Sequence, residues 1–364
     1  MRSSAALAAL AALWAGAVTA MPALPRSSDV DTSSNPLPSS FKWVSTGPLV
    51  GPKADDRNIA GIKDPTVVKI DGTYHVFAST AKSEGYNMVY FNFTDLYSAG
   101  SAPFYYLDQA PLGYGYRAAP QVFYFEPHKL WYLVYQNGNA AYSTNPDISD
   151  PSKWTAPEVF YPNGMPKIIE DNIGDGYWVD MWVVCDEEED PNKSLCHLFS
   201  SDDNGHLYRS ETTRAQFPRG MSQPVMALRD DENKYALWEA ACIYRVKGAT
   251  GNQKYILIVE AFTADGHRYF RSWTSSSIDG EWIPLADTEA NPFAGERNVV
   301  FEEGVEKWTR SISHGEVVRT EPDQTLTVDF SVPLEFMYQG VDPNAQTEYN
   351  ALPWRLAMIK QLRD

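Results

Sequence analysis

Three acidic side chains stand at the starts of strand-like runs in this sequence, and together they could perform acid–base hydrolysis. Asp64 lies in Ile62-Lys63-Asp64-Pro65-Thr66, Asp180 in Trp178-Val179-Asp180-Met181-Trp182, and Glu239 in Leu237-Trp238-Glu239-Ala240-Ala241. Breaking an acetal bond between sugars needs a proton donor and a base, and two carboxyl groups in different environments supply both. The apolar neighbours of Glu239 predict a raised pKa, which keeps the proton that a general acid must give. Lys63 beside Asp64 predicts an ionised carboxylate, as a base requires. Asp180, between two tryptophans, reads as a third member that orients and tunes Glu239.

An acid before a strand is more often a turn residue, so the case rests on a common place in a repeat. Short β-branched and aromatic runs dominate the chain, punctuated by Asp71-Gly72, Asn137-Gly138, Asn204-Gly205, Asp265-Gly266 and Asp279-Gly280. Five units begin at Asp64, Pro120, Asp180, Glu239 and His314, and each continues through a turn into a second and third strand. The spacing is longer than the roughly 40–50 residues of common propeller repeats. It predicts an all-β, five-bladed β-propeller, in which the first strand of every blade lines the axis and the unit starts converge there. Glu260 resembles Glu239 in context but comes late in its unit, and reads as structural.

Composition narrows the partners. The net charge of −17 over 364 residues, with no basic cluster, argues against nucleic acid and anionic membranes. Aromatic content of 13% suits a Trp/Tyr-rich sheet core or a sugar-binding surface. Residues 1–20 read as a signal peptide, with Arg2, an apolar run from Ala5 to Val18, and Val18-Thr19-Ala20 as the cleavage site. Residues 21–38 read as a disordered lead-in or pro-segment, and residues 39–364 as a single catalytic domain. The expectation is a secreted, extracellular, monomeric glycoprotein. Asn92-Phe93-Thr94 and Asn192-Lys193-Ser194 are its acceptor sites. Cys185 and Cys196 flank the acidic run Asp186–Asp190 and could close a short loop as a disulfide, leaving Cys242 as a buried thiol. The acidic run itself reads as a solvated loop.

Histidines offer less. His75, His206 and His267 fall beside hairpin turns and read as surface residues. His314 starts the fifth unit, where it is either a satisfied core histidine or a contact for a channel cation with mostly water ligands. No zinc-type cluster accompanies it.

Several segments together resemble glycoside hydrolase family 62, secreted α-L-arabinofuranosidases that act on arabinoxylan. They are Ile62-Lys63-Asp64-Pro65-Thr66, Ala119-Pro120-Gln121-Val122-Phe123, Val179 to Asp186, Ser201 to Arg209, Glu239-Ala240, Asp265 to Ser277, Ile312 to Glu316 and Tyr338 to Asn344. The resemblance implies inversion, with Asp64 as general base, Glu239 as general acid and Asp180 tuning the acid. It implies Lys63, Gln121 and Tyr338 as substrate-binding residues of an arabinose pocket, and His314 as a contact for calcium. The Asp186–Ser194 insert and Glu296-Arg297-Asn298 depart from the family pattern without touching the three acids. Inversion predicts Asp64 and Glu239 carboxyls roughly 6.5–9.5 Å apart. The rival enzyme reading is a family 43 β-xylosidase or arabinanase. The rival from another class is a non-catalytic sugar-binding propeller, which would repeat one aromatic site in every blade, whereas these unit starts differ in side chain.

Overall fold

The computed structural model describes residues 37–363. The segment read as a signal peptide and most of the lead-in lie outside these residues. Leu37, within the stretch read as lead-in, packs in the main core. Among the described residues no helix is long and apolar enough to cross a membrane.

Five sheets, antiparallel apart from one parallel edge pair in the fourth and one in the fifth, form the blades. The first four run Gly61–Ile70 to Tyr105–Tyr106, Ala118–Phe125 to Glu158–Val159, Val179–Cys185 to Val225–Arg229, and Glu239–Val246 to Ile283–Pro284, in chain order, with Thr327–Val328 added parallel to Glu239–Val246 in the fourth. The fifth combines both ends of the chain. Ser313–Val317 is innermost, followed by Glu335–Gly340, Arg355–Gln361, the N-terminal strand Trp43–Ser45 and Val299–Phe301. Trp43–Ser45 pairs antiparallel with Arg355–Gln361, which ties the start of the domain to its end and closes the ring. The five inner strands are neighbours in sequence around the axis, the fifth returning to the first. This is the five-bladed propeller that the repeat predicted.

The turn chemistry is local. Asp71 and Gly72 both have positive φ, 48° and 81°, and connect Ile70 directly to Thr73; a two-residue turn of this kind matches strand twist. Cys185 and Cys196 face each other across a hairpin and form a disulfide, and Cys242 is a buried free thiol. The acidic run between the two cysteines is a loop with Glu188 and Glu189 exposed, as expected, and it is anchored at its base. Asp186 accepts hydrogen bonds from Ser194 Oγ at 2.7 Å and the Leu195 N–H at 3.0 Å.

Two histidines contradict the surface reading. His75 is buried against the Tyr90 hydroxyl at 2.8 Å. His206 is buried with Nδ1 2.7 Å from Asp202 Oδ2.

Candidate active site

The site begins as a backbone irregularity repeated in every blade. Each inner strand breaks register with its neighbour near its start, between Lys63 and Thr66, Ala118 and Gln121, Val179 and Trp182, Glu239 and Cys242, and Ser313 and Gly315. In the first four the bulged residue is left-handed: Asp64 (φ 49°), Ala119 (49°), Asp180 (58°) and Ala240 (55°). A bulge re-aims a side chain and leaves its N–H without a ladder partner. That N–H is recovered across the blade junction. Asp64 N–H donates to Gln339 Oε1 at 2.6 Å, Ala119 N–H to Ser79 Oγ at 2.8 Å, and Asp180 N–H to Gln136 Oε1 at 2.8 Å. His314 N–H likewise donates to Glu260 Oε2. In these four cases the acceptor comes from the second strand of the preceding blade.

This register corrects the expectation that the three acids share one place in the repeat. Asp64 and Asp180 occupy the bulge. Glu239 lies one residue earlier, in the place of Lys63 and Val179, with Ala240 at the bulge. Its cross-strand partner is Glu260, and like charges directly opposite destabilise a sheet. Arg268 resolves the conflict: its Nη1 donates to both Glu239 and Glu260, and Nη2 lies 3.3 Å from the Tyr349 hydroxyl. Glu260, fully buried, is structural as expected, and it is also part of the site's charge balance.

Asp64, Asp180 and Glu239 do meet. They line one axial cavity of about 740 Å³, together with Lys63, Asp203, His314, Tyr86, Tyr116, Trp178 and Tyr349. Deeper along the axis the space between Asp180, Cys242, His314 and Glu316 narrows to about 10 Å³, so the cavity is blind. Lys63 Nζ is 3.9 Å from Asp64 Oδ1 and 3.2 Å from the Tyr349 hydroxyl, and lies 4.6 Å from the Tyr349 ring centre. His314 Nδ1 is 3.4 Å from Asp64 Oδ1 and 3.6 Å from Asp180 Oδ2.

The charges set the protonation. Burial would raise the Asp64 carboxyl, but Lys63, His314, a hydrogen bond from Ser79 and Arg268 outweigh it and hold the pKa below the ordinary value. Burial pushes Asp180 up to about 7; His314 opposes this, while Glu239 and Asp64 add to it. Burial would also lower His314, but the surrounding carboxylates, Asp180 first, raise it. Glu239 departs from the sequence expectation. Burial would raise it, yet Arg268, then Lys63 and His314, hold it below the ordinary value. Charged side chains from other strands, more than the apolar neighbours in sequence, decide its proton affinity.

Two expected substrate residues lie elsewhere. Gln121 is buried, its Nε2 donating to the Val183 carbonyl at 2.8 Å and its Oε1 accepting from the Val183 N–H at 2.7 Å. Both ends of the amide are used to join the second and third blades. Tyr338 is also buried, its hydroxyl 2.7 Å from Ser45 Oγ and its ring stacked on Trp308. Neither lines the cavity. Sequence reading passed over Arg268, Asp203 and Tyr349. The first two stand inside segments that carry the resemblance, but a turn-rich Ser-Asp-Asp-Asn-Gly run gives no sign that one aspartate faces the axis.

Calcium takes six to eight oxygen ligands. Among the described residues no group of three or more His, Cys, Asp or Glu side chains is arranged to hold a metal ion. A cation beside His314 would therefore keep most of its ligands as water.

A propeller whose blind axial cavity gathers carboxyls of differing proton affinity beside a guanidinium has the layout of a glycoside hydrolase. The profile of glycosyl hydrolase family 62 matches residues 42–360, and the chain belongs to that family. It is 42% identical over 329 residues to alpha-L-arabinofuranosidase C of Cellvibrio japonicus (strain Ueda107), covering 89% of this chain and 48% of that protein. The chain thus spans about half the length of that curated relative. A family 62 hydrolase solved in complex with xylotriose is 82% identical, with a TM-score of 0.88 over 89% of this chain and 98% of that one. The catalytic domain of the Coprinopsis cinerea family 62 α-L-arabinofuranosidase is 62% identical, with a TM-score of 0.84 over 89% and 98%. The Podospora anserina α-L-arabinofuranosidase, solved with cellotriose, is 63% identical, with a TM-score of 0.85 over 90% and 99%. A thermostable family 43 glycoside hydrolase shares the fold at 16% identity and a TM-score of 0.57.

Proposed function

We propose that this protein is a secreted, exo-acting α-L-arabinofuranosidase that removes arabinofuranose side chains from arabinoxylan with inversion. The observation that carries the reading is the blind cavity in which Asp64 and Glu239 meet. A cavity narrowed at its inner end admits a sugar from one side and lets no chain thread through, which suits removal of a branch rather than cutting within a backbone. The arabinofuranosidase and xylotriose-bound relatives support the choice of sugar and polymer.

In this mechanism Asp64, ionised beside Lys63, takes a proton from a water as its oxygen bonds to the anomeric carbon. The bond from that carbon to the xylan oxygen breaks, and the oxygen receives a proton at Glu239. Asp180 and His314 hold Asp64 and the sugar in register. Export is supported by the Cys185–Cys196 disulfide, which suits an oxidising compartment, and by the exposure of Asn92 and Asn192.

Proton NMR during digestion of wheat arabinoxylan tests the reading. Arabinose appearing first as the β-anomer is the expected result; the α-anomer first, or xylose as the product, would overturn it. Asp64→Ala and Glu239→Ala should each remove nearly all activity, and wild-type rates in either would reject the assignment. The family 43 likeness concerns the fold alone and favours no second reading.

A further inference from the structure

We propose that Asp203 shares the proton of the catalytic acid: its carboxyl holds a proton against Glu239, and the two act as a pair that protonates the leaving oxygen. The proposal rests on the reading of Glu239 as the acid.

Asp203 lines the same cavity as Glu239. It comes from the turn between the second and third strands of the third blade, in a left-handed conformation (φ 53°). Its loop is fixed by its neighbour rather than by itself. Asp202 Oδ1 accepts the N–H groups of Asn204 at 2.9 Å and His206 at 3.2 Å, while Oδ2 lies 2.7 Å from both His206 Nδ1 and the Tyr208 hydroxyl. Asp203 takes no part in that network. Its Oδ1 is buried and has no hydrogen-bond partner. A turn aspartate ordinarily binds its own backbone, so an acid freed from its loop and directed at other acids calls for another account.

Asp203 shares its cavity with Glu239 and Asp180; the charges of Glu239, Asp180 and Arg268 act on it, and a side-chain hydrogen bond with Glu239 is among the causes that raise its proton affinity. Two carboxyl groups in such contact cannot both ionise, so one proton resides between them. Burial, and then the charges of Glu239 and Asp180, push Asp203 up to about 10. The groups facing Glu239 are Arg268, Lys63, His314, Asp180, Asp203 and Glu260. With Arg268 and Lys63 alongside, Glu239 alone would give up its proton early; the proton kept on Asp203 remedies this. In the reaction Asp203 passes its proton to Glu239, and Glu239 passes one to the departing xylan oxygen. The pair loses one proton, Asp64 gains one from the attacking water, and exchange with solvent resets both. Arg268 offsets the charge left on the pair.

The test is the pH dependence of kcat/KM for the full-length protein on arabinoxylan and on 2,4-dinitrophenyl α-L-arabinofuranoside, whose leaving group needs no proton. In Asp203→Asn the alkaline limb on arabinoxylan should move to lower pH by about one unit or more. Turnover of arabinoxylan should fall by about tenfold to a hundredfold, turnover of the activated substrate should fall less, and Asp203→Glu should restore the limb in part. An alkaline limb that stays in place, or equal losses on both substrates, would overturn the proposal. Failure of the underlying reading looks different: Glu239→Gln would then keep wild-type activity on arabinoxylan. Should Asp203→Asn not fold, infrared titration of the wild-type protein decides. A protonated-carboxyl band that persists above about pH 8 supports the pair, and its absence rejects it.

Discussion

The Ala240 N–H donates to Asp180 Oδ2 at 2.7 Å, which fastens the acid of the third blade to the residue next to Glu239. Elsewhere in the ring the bulge N–H goes to a side chain from the second strand of the preceding blade. Here Ser201, which holds the matching register position, is passed over. Asp180 is therefore both a cavity wall and a blade junction. Asp180→Ala should lower unfolding free energy by about 1–3 kcal/mol, because a buried N–H loses its acceptor, and should lower kcat as well. Asp180→Asn keeps an acceptor oxygen and should fold with smaller loss while kcat still falls. Urea denaturation alongside steady-state kinetics separates the two effects; equal stability losses in both variants would contradict this dual role.

Gln339 bears on Asp64 in the same way. Its Oε1 takes the Asp64 N–H at 2.6 Å and its Nε2 donates to Ser313 Oγ at 3.0 Å. A left-handed aspartate is strained unless its surroundings over-determine it. Gln339→Leu, similar in size but without polar atoms, should let Asp64 relax. We expect kcat to drop by about tenfold or more, since small misplacements of a reacting group are costly, with KM much less affected. Kinetics on arabinoxylan measure the split, and an unchanged kcat would show that the bulge holds its shape alone.

The propeller was legible because strand patterning, Asp-Gly and Asn-Gly turns and aromatic runs are local signals. So was the convergence of Asp64, Asp180 and Glu239, which follows from the repeat. The offset of Glu239 by one residue was not legible, because the position of a bulge is set by pairing with the neighbouring strand, which the run of residues itself does not display. Arg268 and Asp203 were missed for a related reason. Both act on Glu239 from other strands and turns, and their distance in sequence conceals a contact that only the sheet creates. Gln121 was placed in the pocket by the family resemblance alone, and its amide is fully used between two blades.

That reassignment has its own consequence. Gln121→Ala removes two buried inter-blade hydrogen bonds to Val183 and leaves a peptide N–H and a carbonyl unsatisfied. The stability cost should be about 2–4 kcal/mol, at about 1–2 per group stranded. KM for arabinoxylan should stay near wild type at temperatures well below unfolding. Thermal denaturation and initial rates report the two quantities; a raised KM without loss of stability would return Gln121 to the substrate site.

Asp203 also gives the stability a pH signature. Its folded pKa is raised from the ordinary 3.8 to about 10, so the fold favours the protonated form. The stabilising contribution is fully present below the unfolded value and is lost as pH rises toward the folded one. Across that window the folded protein binds more protons than the unfolded chain, and stability declines with rising pH by up to about 1.4 kcal/mol per unit from this group. Asp64 and Glu239, both held below their ordinary values, act in the opposite sense and gain their effect above the unfolded carboxylate range. Asp203→Asn leaves those two in place and removes the opposing group. The variant should therefore be close to wild type in stability near pH 4 and increasingly more stable than wild type from about pH 5 to pH 9. A series of urea unfolding curves over this range measures the difference directly. Parallel pH dependences for the two proteins would mean that Asp203 ionises in the fold as it does in water, and an ionised Asp203 would have no proton to lend to Glu239.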